Sequence, residues 1–200
     1  MKLHVLAVAL LLAGCSGGLL APSGGPAKLY TLSAPHDVIS TAPQANWQLA
    51  VEMPEAELEL NTARIAVAPS PARIDYYADV AWADRPPAML QELLVRSFEK
   101  SGKIAAVDRR GSNVRADFEL TTDLQHFQVE AAGDPADVHV DIMAHLIRTR
   151  DRAIVASRHF EMTAPAGTNF DATISGFDET LRQLLPMIVD WTLEQGNRNS

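Results

Sequence analysis

Residues 138–146 read Val-His-Val-Asp-Ile-Met-Ala-His-Leu, with Val138, Val140, Ile142, Ala144 and Leu146 at every second place. That period of two belongs to a strand with one face on a core and the other carrying His139, Asp141, Met143 and His145. Ile154, Ala156, Phe160 and Met162 continue the apolar set downstream. Pairing both sets on one face of a hairpin requires paired positions with an even sum, as a three-residue loop at Thr149, Arg150 and Asp151 provides. The same register sets Asp141 opposite His159 and His139 opposite Glu161, away from the core.

Working outward, Phe118, Leu120, Thr122 and Leu124 alternate and then slip to Phe127 and Val129. Such a phase change predicts a bulge near His126. Beyond the hairpin, Ile174, Phe177, Leu181, Leu184, Leu185, Ile188 and Val189 predict a helix from about Asp171 to Glu194, which Pro186 should kink or split. A first helix is signalled by Asp84 as cap, Pro86 and Pro87 in the first turn, and the stripe Met89, Leu90, Leu93, Leu94, Phe98, with Gly102 as the stop. Short strands are expected at Lys28–Ala34, around Trp47, Leu49 and Val51, over Ala63–Pro69, as two pieces around Tyr77–Asp79, and at Lys103–Asp108. The fold class is α+β: a single domain with a mostly antiparallel or mixed sheet and two helices on one face.

The amino terminus is a different kind of sequence. Lys2 precedes a run, Leu3–Leu12, that is apolar apart from His4, is too short for a bilayer span of ~20 apolar residues and is followed by Ala13 and Gly14, as in a cleaved export signal. Leu12-Ala13-Gly14-Cys15 resembles the bacterial lipobox, which makes Cys15 the lipidation site, since a thiolate is the side chain nucleophilic enough at neutral pH to take a diacylglycerol. Acyl chains at ~0.8 kcal/mol per buried CH₂ give stable anchoring once there are two or more. Ser16 stands where inner-membrane retention usually has aspartate, which points to the periplasmic face of the outer membrane. Residues 15–28 form a Gly, Ser and Pro-rich tether, the domain covers 29–195, and 196–200 are a polar tail.

Formal net charge is −8 over 17 basic and 25 acidic residues, and removing residues 1–14, with one lysine and no acid, makes it −9. A field of that sign repels phosphate backbones, so nucleic acid is not an expected partner, and membrane contact runs through the acyl chains. With Cys15 lipidated no thiol remains for a disulfide.

From Cys15 onward the mature chain contains no G-x-S-x-G, H-E-x-x-H, Walker or G-x-G-x-x-G pattern. His126, His139, His145 and His159 fall on three successive strands with Asp141 and Glu161. However, His139 and His145 lie roughly 20 Å apart along one strand, so a polar face with cross-strand ion pairs is expected there and no metal or cofactor site. A Ser-His-Asp triad assembled in space remains the alternative, an envelope hydrolase, because triads are geometric and not sequential. A structural outer-membrane lipoprotein is a third reading.

The segment Tyr76-Tyr77-Ala78-Asp79-Val80-Ala81-Trp82-Ala83-Asp84-Arg85-Pro86-Pro87 stands out for its rings. Taken with Tyr30-Thr31-Leu32 and Arg64-Ile65-Ala66-Val67-Ala68-Pro69, its order resembles the ABC-type transport auxiliary lipoproteins, the family of the paraquat-inducible protein C lipoproteins. Ala81 departs from that pattern, which has a basic residue before the tryptophan. The resemblance implies a non-enzymatic periplasmic component working with an ABC transporter and a mammalian-cell-entry (MCE) type substrate-binding protein to move lipids or other apolar molecules. It also implies partner docking at Tyr76, Tyr77, Trp82 and Arg85. The oligomeric state stays open, a homo-oligomer matching ring-forming MCE partners being what the analogy offers.

Overall fold

The computed structural model describes residues 26–33, 35, 37–109 and 116–200. Cys15, the export signal and most of the tether lie outside the described residues. Eleven elements follow in order: β1 (Lys28–Tyr30), β2 (Ala45–Val51), β3 (Glu55–Ala56), β4 (Arg64–Ser70), β5 (Arg73–Trp82), α1 (Pro86–Ser101), β6 (Ile104–Arg109), β7 (Phe118–Glu130), β8 (Asp137–Arg148), β9 (Ala153–Pro165) and α2 (Phe170–Asn199).

The sheet is mixed and forks at β7. One edge of this 13-residue strand runs antiparallel to β8 along its whole length, and β9 follows β8. Its other edge is shared in parallel by three strands: β2 at Phe118–Leu120, β3 at Asp123–Leu124 and β4 at Gln128–Glu130. From there β2 leads to β6, and β4 leads through β5 to β1. A strand this long can satisfy several short partners in turn, each covering a stretch of its N–H and C=O groups.

Both helices pack on the apolar face, against one another and against one continuous core. The side chains Val138, Val140, Ile142, Ala144 and Leu146 of β8 are fully buried there, under Phe177, Leu184, Leu185, Ile188 and Val189 of α2. Each such large aliphatic or aromatic side chain contributes about 1.5–3 kcal/mol relative to exposure, so this layer dominates the stability of the domain.

Four expectations are corrected. The β8–β9 ladder pairs Asp141 with Glu161 and His139 with Thr163, two residues from the expected register. The loop is longer, Arg148 pairing with Ala153, and a register irregularity beside Ile147 restores the even sum, so the apolar sets still coincide. Arg152 takes the left-handed conformation in this turn (φ 59°). Second, the aromatic segment is one ten-residue strand, β5, bent at Asp79 (φ 59°), and not two pieces. Third, the N-cap of α1 is Arg85 with no side-chain cap, while Asp84 accepts from the Arg85 N–H at 2.7 Å; Gly102 closes the helix in the left-handed region, as expected. Fourth, Pro186 does not split α2, which runs unbroken through it and takes in residues 196–199. Buried side chains on both sides of the proline hold the helix together, and the carbonyl that Pro186 orphans belongs to the exposed Arg182. The bulge near His126 is present, between Leu124 and His126.

One carboxylate links α2 to the chain after β1: Asp178 Oδ1 accepts from the Ser33 N–H at 2.8 Å. Burial raises the Asp178 pKa, and the bond from Ser33 opposes the rise. A folded-state value above the unfolded one means that folding penalises the charged form, so the Asp178 contribution is best below the unfolded pKa and is lost as pH rises through the folded one. Asp178→Asn, which keeps an acceptor for Ser33, should therefore raise Tm at neutral pH. The gain should vanish on acidification through the carboxylate range, which melting curves across pH will show.

Candidate functional site

Two regions carry the chemistry singled out in the sequence. The first is the corner at which β5 delivers the chain to α1. Trp82 is 1% exposed and its ring packs against both Phe127 (centroids 5.6 Å) and Phe177 (5.1 Å), which also touch each other. It is a core residue and is not available for docking, which corrects its expected role. Tyr77 points to the helix side, edge-on to Phe170 at 5.0 Å, and Phe170 meets Tyr30 at the same distance. Burial raises the Tyr77 pKa, and both Tyr77 and Tyr30 act as packing for the start of α2.

Tyr76 and Arg85 behave differently. The Tyr76 hydroxyl donates to the Glu59 carbonyl at 3.2 Å, with the Arg64 guanidinium stacked over its ring at 3.7 Å. Arg85 is exposed, and its Nη1 donates to Asn61 Oδ1 at 3.2 Å. Both therefore lean on the turn Glu57–Asn61, whose Leu58 is 85% exposed. Tyrosine and arginine are residue types that protein interfaces favour, and the exposed Leu58 adds apolar surface beside them. Leu58 was missed in the sequence because an isolated leucine between acids carries no periodic signal.

The second region is the outer face of β7, β8 and β9, a ladder of cross-strand polar clusters. From one end, Arg152 meets Glu119 at 2.5 Å; His145 Nδ1 lies 2.7 Å from Ser157 Oγ, with its Nε2 3.8 Å from Asp123 Oδ2. Next, Asp141 holds His126 Nδ1 at 3.4 Å on Oδ2 and His159 Nε2 on Oδ1; then His139 Nε2 lies 2.9 Å from Glu161 Oε1 and its Nδ1 3.5 Å from Glu130. Of these contacts Arg152–Glu119 is an ion pair of the kind expected of this face, and the histidine–carboxylate contacts become ion pairs only where the imidazole is protonated. Asp141 reaches His159, and His139 reaches Glu161, as diagonal neighbours across the shifted register. His126, His139 and Asp141 offer ligand atoms within 4.8 Å of one another. The spacing of His139 and His145 along one strand does not reveal this grouping, which the β7–β8 register creates. A shallow cleft lined by Glu59, Leu60, Ile74 and His126 connects the two regions.

The same architecture occurs in the crystal structure of protein XCC0632 from Xanthomonas campestris, which is 33% identical, with a TM-score of 0.82 over 86% of this chain and 98% of that one. The protein CT253 from Chlamydia trachomatis shares the fold at 11% identity, with a TM-score of 0.55 over 78% of this chain and 100% of that one. Protein bll6063 from Bradyrhizobium diazoefficiens is 27% identical over 188 residues, which is 90% of this chain, and the chain spans about half (50%) of that relative's length. The class so defined is a single α+β domain on a mixed sheet with two helices. Residues 30–189 match the family model described as the ABC-type transport auxiliary lipoprotein component, and the chain belongs to that family. It is accordingly an envelope-associated lipoprotein, and no helix among the described residues is long and apolar enough to cross a membrane.

Proposed function

We propose that the chain is a non-enzymatic auxiliary component of an ABC and MCE-type transport system for lipids or other apolar molecules, anchored through acyl chains on Cys15 to the periplasmic face of the outer membrane. The family match over residues 30–189 carries this reading. The corner geometry supports it: Leu58, Tyr76 and Arg85 sit together at one turn and are held there by backbone and side-chain hydrogen bonds, so a partner meets a preformed surface.

The test is capture of the purified MCE-type protein by the full-length, acylated chain in detergent. Leu58→Asp with Arg85→Glu should reduce capture by about tenfold or more, as interface centres do, with an unchanged circular dichroism spectrum. Undiminished capture would remove the corner from the interface, and no capture by the unaltered chain would remove the transport reading. Replacing Cys15 by serine should release the protein from the membrane fraction.

A second reading, a hydrolase, draws on Asp123, His145 and Ser157, which line up in the order of a triad. In the standard arrangement Nε2 faces the serine and Nδ1 the carboxylate at hydrogen-bond distance. Here the ring is reversed and the carboxylate stands at 3.8 Å. The arrangement ranks below the auxiliary role for that reason. An esterase screen in which Ser157→Ala abolishes turnover would reverse the ranking.

A further inference from the structure

The outer face presents a carboxylate in an unusual position. Asp141 is 5% exposed although it lies on the polar side of the sheet, covered by imidazoles at both oxygens. A carboxylate taken out of water needs strong compensation. His126 and His139 stack beside it with ring centroids 4.6 Å apart and an interplanar angle of 14°. We propose that His126, His139 and Asp141 bind one divalent transition-metal ion of the zinc class, bridging β7 and β8 on the outer face of the sheet.

The backbone is arranged to deliver these ligands. Leu120, Thr122 and Leu124 face the core, so an uninterrupted β7 would also send His126 inward. The irregularity at Gln125 reverses the phase, returning Phe127 and Val129 to the core and setting His126 directly opposite Asp141. Bulges that re-aim a side chain in this way recur at functional positions. Two imidazoles and a carboxylate suit zinc, and the same donors accept copper or nickel.

Surrounding groups supply the outer layer of such a site. Glu161 Oε1 lies 2.9 Å from His139 Nε2; donation of that N–H leaves the lone pair on Nδ1, the pattern in which a carboxylate orients a ligating histidine. His159 holds Asp141 by Oδ1, leaving Oδ2 toward His126. Bonds of about 2.0–2.2 Å require the ligand atoms to draw closer than the 4.8 Å limit seen here. Stacked as they are, the two rings cannot both aim an in-plane lone pair at one ion, so His126 must turn out of the stack to ligate; its side chain, 43% exposed, has the freedom to do so, while Asp141 is held in place. The fourth position faces solvent and is left for water.

The experiment uses the untagged full-length protein in detergent, stripped with a chelator and titrated with Zn²⁺ by calorimetry and with Co²⁺ by visible absorption. One equivalent should bind, with Co²⁺ giving ligand-field bands of low-coordinate geometry and Zn²⁺ raising Tm. His126→Gln and His139→Gln should each abolish the bands. His159→Gln, acting through Asp141, should weaken binding by roughly 10- to 100-fold, whereas His145→Gln on the same face should leave it unchanged. Because Asp141→Asn risks misfolding, the exposed His126→Gln variant keeps the test decisive. Absence of saturable binding at micromolar metal would overturn the proposal. So would binding that survives the His126 and His139 substitutions, which would mark adventitious surface coordination.

Discussion

Replacing Phe177 by alanine is expected to destabilise the domain by about 3–5 kcal/mol. The ring is fully buried and edge-on to Trp82 (5.1 Å, 89°), with Phe127 at 4.9 Å. It is the contact through which α2, β5 and β7 meet. The three aromatics belong to rigid elements that cannot collapse into the space left behind, so the cavity term adds to the lost transfer energy. Against a total of about 5–15 kcal/mol for an ordinary domain, the variant should unfold at much lower urea and show heterogeneous tryptophan emission. Phe177→Leu retains most of the volume and should cost less than about 1.5 kcal/mol. A loss below 1 kcal/mol for the alanine variant, read from urea midpoints at constant m, would mean that the cluster can repack.

Adding one methyl group at Gly196 should cost nearly as much as removing the Phe177 ring. A Cβ there would stand 2.1 Å from Cζ2 and 2.6 Å from Cε2 of Trp47. The indole has little room to retreat: its edge is against Phe118 at 5.1 Å, and its Nε1 donates to Asn197 Oδ1 at 2.9 Å. Overpacking of this kind costs about 1–3 kcal/mol and occasionally more, and the tryptophan, held at both ends, places Gly196→Ala at the upper end. Denaturation of the variant against Gly196→Ala combined with Trp47→Leu gives the coupling directly. If the clash is the cause, the double variant will be more stable than the sum of the two single changes predicts. Strict additivity would mean that the helix end had simply moved away.

These two sites illustrate unequal legibility. Phe177 was visible in the sequence, because its place on a 3.6-residue stripe with Ile174, Leu181 and Leu184 assigns it to the buried face. Gly196 was not. The stretch Gly196-Asn197-Arg198-Asn199-Ser200 is polar and reads as a tail, yet Trp47 needs a residue with no side chain at the end of α2, and Asn197 provides a partner for the indole. That partner lies 150 residues away, and no local pattern reports it.

The candidate docking residues divide along the same line. Tyr76, Tyr77, Trp82 and Arg85 look equivalent as an aromatic and basic run, but alternation along β5 and the bend at Asp79 send them to different places. Trp82 joins the core, Tyr77 packs on Phe170, and Tyr76 with Arg85 stays at the surface on the Glu57–Asn61 turn. The bulge in β7 was legible as a phase slip. Its consequence, His126 brought beside His139 and Asp141, required the register of the neighbouring strand.

By itself the sequence determined the class of fold, the core faces of both helices, the strands from Phe118 to Met162 and the break in their alternation, since periodicity records which side of an element is apolar. Only the tertiary structure decided how those elements share β7, how far the last hairpin slides, and which polar groups meet across strands. Those are contacts between distant residues, settled by the joint packing of all the layers, and a hydrophobic pattern is unchanged by a shift of two residues along a strand.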